Sequence, residues 1–145
     1  DNSILVEICL SSNESILGVT GKAHPFTLYR RAGVPLTIST DDEGISRSNL
    51  TMEYVKAVQH YDLDYGDVVE LARNSLEYSF LPGESLFVDH DYAVLRPEFE
   101  GLVQSGWQAD GPIVRLMKDN PRLERQVKLE RALVEFEAFL QNGFK

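Results

Sequence analysis

The sequence predicts an α/β fold built on a parallel strand pair with helices packed around it. Two observations carry this: residues 4–10 and 34–40 are runs of β-formers, and the stretch between them reads as a helix. A third is the train of amphipathic segments after residue 50, each with legible start and stop signals.

The first run, Ile-Leu-Val-Glu-Ile-Cys-Leu, is nearly continuous, as in a strand covered on both faces, and Ser11-Ser12-Asn13 ends it. Residues 24–33 read as a helix, with His24-Pro25 at its start and Gly33 suited to a left-handed cap. In the second strand, residues 34–40, Leu36, Ile38 and Thr40 share one face, and Pro35 fits only near the start. Strand, helix, strand at this spacing is a βαβ unit.

A helix is predicted over residues 50–61, with Leu50, Tyr54, Ala57 and Tyr61 on one face. The next, over 65–80, starts on Asp64 as N-cap with Asp67 at N3 and a Leu63–Val68 staple. Its inward face reads as Val68, Leu71, Ala72, Ser75 and Ser79, and Pro82-Gly83 stops it. Short helical pieces are expected near 97–105 and 112–118. The last helix, 121–141, has Asp119 or Asn120 as cap, Pro121 at N1 and a stripe of Leu129, Leu133, Phe136 and Leu140. Two parallel strands alone make a poor sheet with open edges. More strands are expected beside them, and the opening Asp1-Asn2-Ser3, without Met, suggests an excised or truncated chain.

The 145 residues carry a net charge of −9. A chain this acidic lacks the basic footprint that nucleic acid requires, so no nucleic-acid partner is expected. No run approaches the length and apolarity of a membrane span, so no membrane partner is expected either. Charge is uneven: residues 1–100 hold 17 acids and 7 bases, residues 101–145 hold 6 and 7. That shift marks the tail as a separate unit. The lone Cys9 reads as a buried strand cysteine, since it has no disulfide or zinc-finger partner.

The chemically sharp feature is Ser39-Thr40-Asp41-Asp42 at the C-terminal end of a parallel strand. A carboxylate there suits a divalent metal, and a second beside it suits a hydrogen bond to substrate. Asp-Asp-Glu-Gly is equally good turn and helix-start chemistry. The histidines read as structural: His24 at a helix start, His60 at a helix end, and Asp89-His90-Asp91 as a polar loop. Arg73 and Asn74 read as braces for their helix, and the charges of 122–131 as the solvated side of the last helix.

Five segments in order resemble the adenosine deaminase family. Glu7-Ile8-Cys9-Leu10-Ser11-Ser12-Asn13 is similar to its strand-seven E-x-C-P-x-S-N, with His24-Pro25 following. Ser39-Thr40-Asp41-Asp42 is similar to the strand-eight motif, and Leu50-Thr51-Met52-Glu53-Tyr54 to the L-T-x-E-Y after it. Residues 71–76 and 79–81 resemble L-A-R-N-S/A and S-F-L. Leu10 stands where Pro is usual, and so does Glu43, which leaves loop shape and substrate choice open. The tail beyond Leu81 resembles, more loosely, the larger growth-factor-related deaminases, many of which are exported; the compartment is open.

The resemblance implies the last two βα units of a (β/α)8 TIM barrel, an incomplete barrel by itself: residues 1–85, with 86–145 a helical C-terminal extension. It implies zinc-dependent hydrolytic deamination of adenosine to inosine and ammonia. Asp41 matches the zinc-ligand aspartate, and Asp42 the neighbour that hydrogen-bonds a purine ring nitrogen. The family's remaining ligands and its acid/base glutamate have no counterpart here. The implied partners are the purine nucleoside and the N-terminal part of the same barrel, without which the chain is expected to be inactive. The alternatives are a deaminase of AMP or adenine, or a non-catalytic α/β fragment or module that binds a partner.

Overall fold

The computed structural model describes residues 4–41, 43–46 and 48–143. It divides into two compact units, one up to Tyr78 and one from Ser79 onward.

In the first unit, β1 (Val6–Ile8) and β2 (Leu36–Ile38) pair in parallel, with Val6 opposite Leu36 and Ile8 opposite Ile38. The ladder is closed by Val6 N–H to Pro35 O and Ser39 N–H to Ile8 O, each 2.9 Å. All three β2 residues are buried, as a strand covered on both faces requires. Both strands are shorter than their β-forming runs. The first is cut short because Cys9 turns out of the strand and becomes the N-cap of α1 (Leu10–Leu17). This helix takes in the Ser11-Ser12-Asn13 stretch that reads locally as a terminator. Cys9 is accordingly half-buried rather than a strand-core cysteine.

A 3-10 turn (Gly21–Ala23) and α2 (Phe26–Arg31) follow, and Gly33 takes φ +70° beyond the helix. A four-residue α3 (Glu43–Ser46) leads to α4 (Leu50–Tyr61), capped by the Asn49 side chain on Met52 N–H. The inward face of α4 is Glu53, Tyr54, Ala57 and Tyr61, whereas Leu50 is half-exposed. Phe26 is buried and stacks on Tyr61 with centroids 4.3 Å apart. The apolar centre comprises Ile8, Ile38, Phe26, Ala57 and Leu71.

α4 ends on Asp62 in the left-handed region, φ 51° and ψ 49°. An L-residue with a Cβ is strained there, and an acid at a helix C-terminus opposes the dipole. Asp62→Gly is expected to stabilise the unit by about 1 kcal/mol. A rise in thermal midpoint checks this, and a fall would contradict it.

α5 (Tyr65–Glu77) begins as its sequence predicts, with a reciprocal capping box. Asp67 N–H donates to Asp64 Oδ1 at 2.9 Å and Asp64 N–H to Asp67 Oδ2 at 3.0 Å. Arg30 of α2 also pairs with Asp67. The buried face, however, is Val69, Leu71, Asn74 and Glu77, with Ser75 exposed. The helix is rotated from the apolar reading because its contacts to β2 are polar. Asn74 Nδ2 donates to Leu36 O at 2.8 Å, and Thr37 Oγ1 donates to Leu71 O at 3.2 Å. Asn74 thus braces its helix on the strand.

The second unit opens with a hairpin that its residues did not announce, β3 (Phe87–Val88) and β4 (Asp91–Leu95), paired antiparallel. Asp89 and His90, with φ 51° and 60°, form its two-residue loop. Two positive φ values in succession are the signature of a type I′ turn. A 3-10 turn (Pro97–Phe99) replaces the helical piece expected over 97–105. α6 (Gly111–Lys118) and α7 (Pro121–Asn142) complete the unit.

Asn120 caps α7 through its side chain on Leu123 N–H at 3.1 Å. α7 packs through Leu123, Gln126, Val127 and Glu130, while Phe136 and Leu140 of the predicted stripe are half-exposed. Nor are the charges of 122–131 simply solvated. Arg122 donates to Ser79 O and Leu81 O, Arg131 to Leu102 O and Gln104 O, and Glu130 is buried. No helix of the described residues is long and apolar enough to cross a membrane.

Candidate functional site

The parallel pairing puts the C-terminal ends of β1 and β2 side by side. Residues leaving Ile8 and Ile38 therefore meet: Cys9 to Asn13 at the start of α1, and Ser39 to Asp41 after β2. Asp41 sits at a bend and is exposed. Its Oδ2 accepts from the Ser12 hydroxyl at 2.9 Å. Asp42, the second predicted site residue, lies outside the described residues.

The first turn of α1 is tied to three other elements. Ser11 N–H donates to Glu53 Oε2 of α4 at 3.1 Å, and Ser48 Oγ donates to Glu53 Oε1 at 2.9 Å. Glu53 is only 1% exposed. A carboxylate at a helix N-terminus satisfies an orphan N–H and meets the positive end of the dipole, which makes its burial tolerable. Lys56 reaches across to Ser11 Oγ at 3.2 Å and to Glu14, whose carboxyl its hydrogen bond and charge hold below the usual range.

On the other side, Asn13 Nδ2 lies 2.7 Å from His24 Nε2, while Phe26 N–H donates to His24 Nδ1 at 3.1 Å. With Nδ1 accepting, Nε2 carries the ring proton, and the Asn13 amide must turn its oxygen toward it. Burial lowers the His24 pKa below its ordinary 6.5, in keeping with a neutral ring. His24 is thus the structural histidine its position suggests, and its ties are to Asn13 and Phe26.

A depressed His pKa means that the unfolded chain binds more protons below the ordinary value. Stability held by the neutral ring is full above pH ~6.5 and is lost as pH falls through the folded pKa. Urea unfolding between about pH 7 and 5 is expected to show a stability decline that His24→Gln flattens. Equal slopes in the two proteins would contradict it.

The Cys9 thiol is pushed up, first by burial and then by the charges of Asp41, Glu7 and Glu53, against a hydrogen bond with Ser39. The raised thiol stays protonated near neutral pH, and Cys9 stands as the residue from which α1 starts. His60 is exposed and lines an open groove with Ser11, Ser48, Met52 and Lys56. Two residues of this region stand on letters of the resembling motifs but were given no role from sequence: Ser12 and Glu53. The signal for Glu53 was present, since it lies four residues before Ala57 on the inward face of α4.

A catalytic zinc takes about three protein ligands. Among the described residues there is no group of three or more His, Cys, Asp or Glu side chains that could hold a metal. The described residues therefore do not by themselves fit a zinc centre; what they bring to the strand ends is one oriented carboxylate.

The adenosine deaminase family model matches residues 1–86. The aminodeoxyfutalosine deaminase of Streptomyces coelicolor is 37% identical over 92 residues, covering 61% of this chain and 24% of that protein. The adenosine deaminase of Mycobacterium tuberculosis is 29% identical over 104 residues, covering 71% and 28%. Among solved structures, an Arabidopsis N6-mAMP deaminase superposes with a TM-score of 0.51 at 33% identity, over 55% of this chain and 24% of that one. The chain thus spans about a quarter of the length of the curated relatives it matches. With more than half of its residues matched, and with its parallel strand ends carrying the aspartate, the chain belongs to the adenosine deaminase family.

Proposed function

We propose that the chain is the C-terminal part of a (β/α)8-barrel aminohydrolase that removes the 6-amino group of a purine nucleoside. Water adds at C6 and ammonia leaves, so adenosine gives inosine. Asp41 is one zinc ligand, and Asp42 holds a purine ring nitrogen so that C6 faces the attacking oxygen, a positioning role. Residues 1–85 belong to the barrel and 86–145 form an extension beyond it.

The observation that carries this reading is the Asp41 carboxylate at the C-terminal end of the second of two parallel strands, bound on one oxygen by Ser12. Barrel enzymes of this class build their sites from that end of the strands. A catalytic zinc needs about three protein ligands, and in this reading Asp41 supplies one of them, so the chain by itself is expected to be inactive. Its partner is the rest of the barrel. A second reading, a nucleotide of the AMP type as substrate, is supported by the likeness to the N6-mAMP deaminase.

Intact mass, zinc content and ammonia release test this, with adenosine, AMP and adenine run side by side. Assembled with the remaining barrel strands, the protein is expected to hold about one zinc and turn over. The chain alone should do neither. Tight stoichiometric zinc binding by the chain alone, or an assembled barrel with no turnover on any 6-aminopurine, would sink the reading.

A further inference from the structure

We propose that Phe80 is the anchor by which this chain grips the rest of its barrel: the ring stands on a loop that Arg122 clamps, ready to enter an apolar pocket on the remaining part of the deaminase domain. The proposal rests on the reading of the chain as the C-terminal part of a larger barrel enzyme.

Phe80 is fully exposed, at 107%, and belongs to neither apolar cluster of the described residues. A single apolar side chain on a surface is ordinary. What sets Phe80 apart is that its backbone is held. One terminal guanidinium nitrogen of Arg122, in the first turn of α7, donates to the carbonyls on both sides of it, Ser79 O at 3.2 Å and Leu81 O at 3.1 Å. Arg122 N–H donates to Pro82 O at 3.2 Å. At the end of the loop Gly83, with φ +112°, lies close against the buried side chain of Asn120. Residues 79–83 are thus fastened to the start of α7 along their whole length.

The fastening is unfavourable in part. Arg122 Nε is buried and finds no acceptor among the described residues. A buried N–H without an acceptor is uncommon and weakens a fold. Nor does ordering this loop bury its largest apolar side chain within the chain. The gain lies in association. An aromatic ring already held in place loses little freedom when a partner encloses it, and enclosed aromatic rings carry much of the affinity of an interface.

The occupant follows from the matched length. The family model runs to residue 86, so Phe80 lies within the family domain. The chain covers 24% and 28% of two curated relatives, so about three quarters of their length has no counterpart in it. That remainder supplies the further strands and the helices that cover them, whose packing faces are apolar. A ring excluded from the chain's own clusters is complementary to such a face.

The test titrates this chain into the remaining barrel, made as a separate polypeptide, and compares the wild type with Phe80→Ala and Phe80→Leu. Phe80→Ala is expected to weaken association by about 30-fold or more, and Phe80→Leu by less. The melting curve of the chain alone should not move in Phe80→Ala, whereas that of the assembled protein should fall. Arg122→Met removes the clamp and keeps the stem, and is expected to weaken association about 3- to 10-fold. In its background Phe80→Ala should cost less than it does alone, which a merely structural role for Arg122 would not produce. Strict additivity overturns the clamp. Equal affinities of the wild type and Phe80→Ala overturn the anchor and leave the deaminase reading intact, since turnover of the assembled protein decides that reading. A wild-type chain that does not bind the remaining barrel overturns both. Dimerisation of the assembled protein that Phe80→Ala abolishes also overturns the proposal, because the occupant would then be a second copy.

Discussion

Asp41→Ala is expected to lower turnover of the assembled deaminase by at least about a thousandfold, equivalent to roughly 4 kcal/mol of transition-state stabilisation. The magnitude follows from the proposed role. A catalytic zinc rests on about three protein ligands, so losing one costs the site rather than trimming it. Folding should barely register the change. Asp41 is exposed, and the substitution removes from the fold its hydrogen bond with Ser12, worth about 1 kcal/mol. The split between the two readouts is what decides. If Asp41 were only turn chemistry ahead of α3, the thermal midpoint would fall slightly and turnover would hold. Ammonia release and a melting curve on the same preparation separate these cases. Asp41→Asn keeps the shape and a hydrogen-bond acceptor but drops the charge, and it should be nearly as inactive with an unchanged midpoint.

How much of this could be read from the residues differs sharply by element. The parallel pair was legible because both strands are runs of β-formers, where short-range chemistry dominates, although α1 and α2 both lie between them. The start of α5 was equally legible, since a capping box is written in four consecutive residues, Asp64 to Asp67. α1 was not. Ser11-Ser12-Asn13 argues against a helix locally, and the helix forms there because Glu53, 42 residues away from Ser11, caps its N–H. The inward face of α5 departs from its apolar stripe for a related reason. Such a stripe says nothing of an asparagine that prefers a strand carbonyl, and Asn74 finds Leu36 O. The hairpin at 87–95 was hidden by its loop, because Asp89-His90 takes two positive φ values without a glycine to signal them. At the site, Asp41, Ser12 and Glu53 all fall on letters of the resembling motifs, whereas the contacts that join Ser12 to Asp41 and Glu53 to Ser11 come only with the fold.

Gly83→Ala is expected to destabilise the second unit by about 2–4 kcal/mol. Two costs combine. Gly83 sits at φ +112°, a conformation that L side chains rarely adopt, and imposing one there strains the backbone by roughly 1–3 kcal/mol. The added carbon would also fall on the side-chain oxygen of Asn120, far inside van der Waals distance. That oxygen caps α7 by accepting from Leu123 N–H, and Asn120 is buried at 6% exposure. Displacing it leaves an orphan N–H at the start of a 22-residue helix, a loss of about 1 kcal/mol for an N-cap. The neighbouring backbone bond from Arg122 N–H to Pro82 O would be stretched as Asn120 gives way. Asn120→Ala separates the two costs: it removes the cap without straining residue 83, and should cost about 1 kcal/mol. In the Asn120→Ala background, Gly83→Ala should cost less than it does alone, because the oxygen it strikes is gone and only backbone strain remains. A double-mutant cycle by chemical denaturation reads this coupling directly. Strict additivity would mean that the glycine is kept for its φ alone, and that Asn120 owes nothing of its position to the space Gly83 leaves.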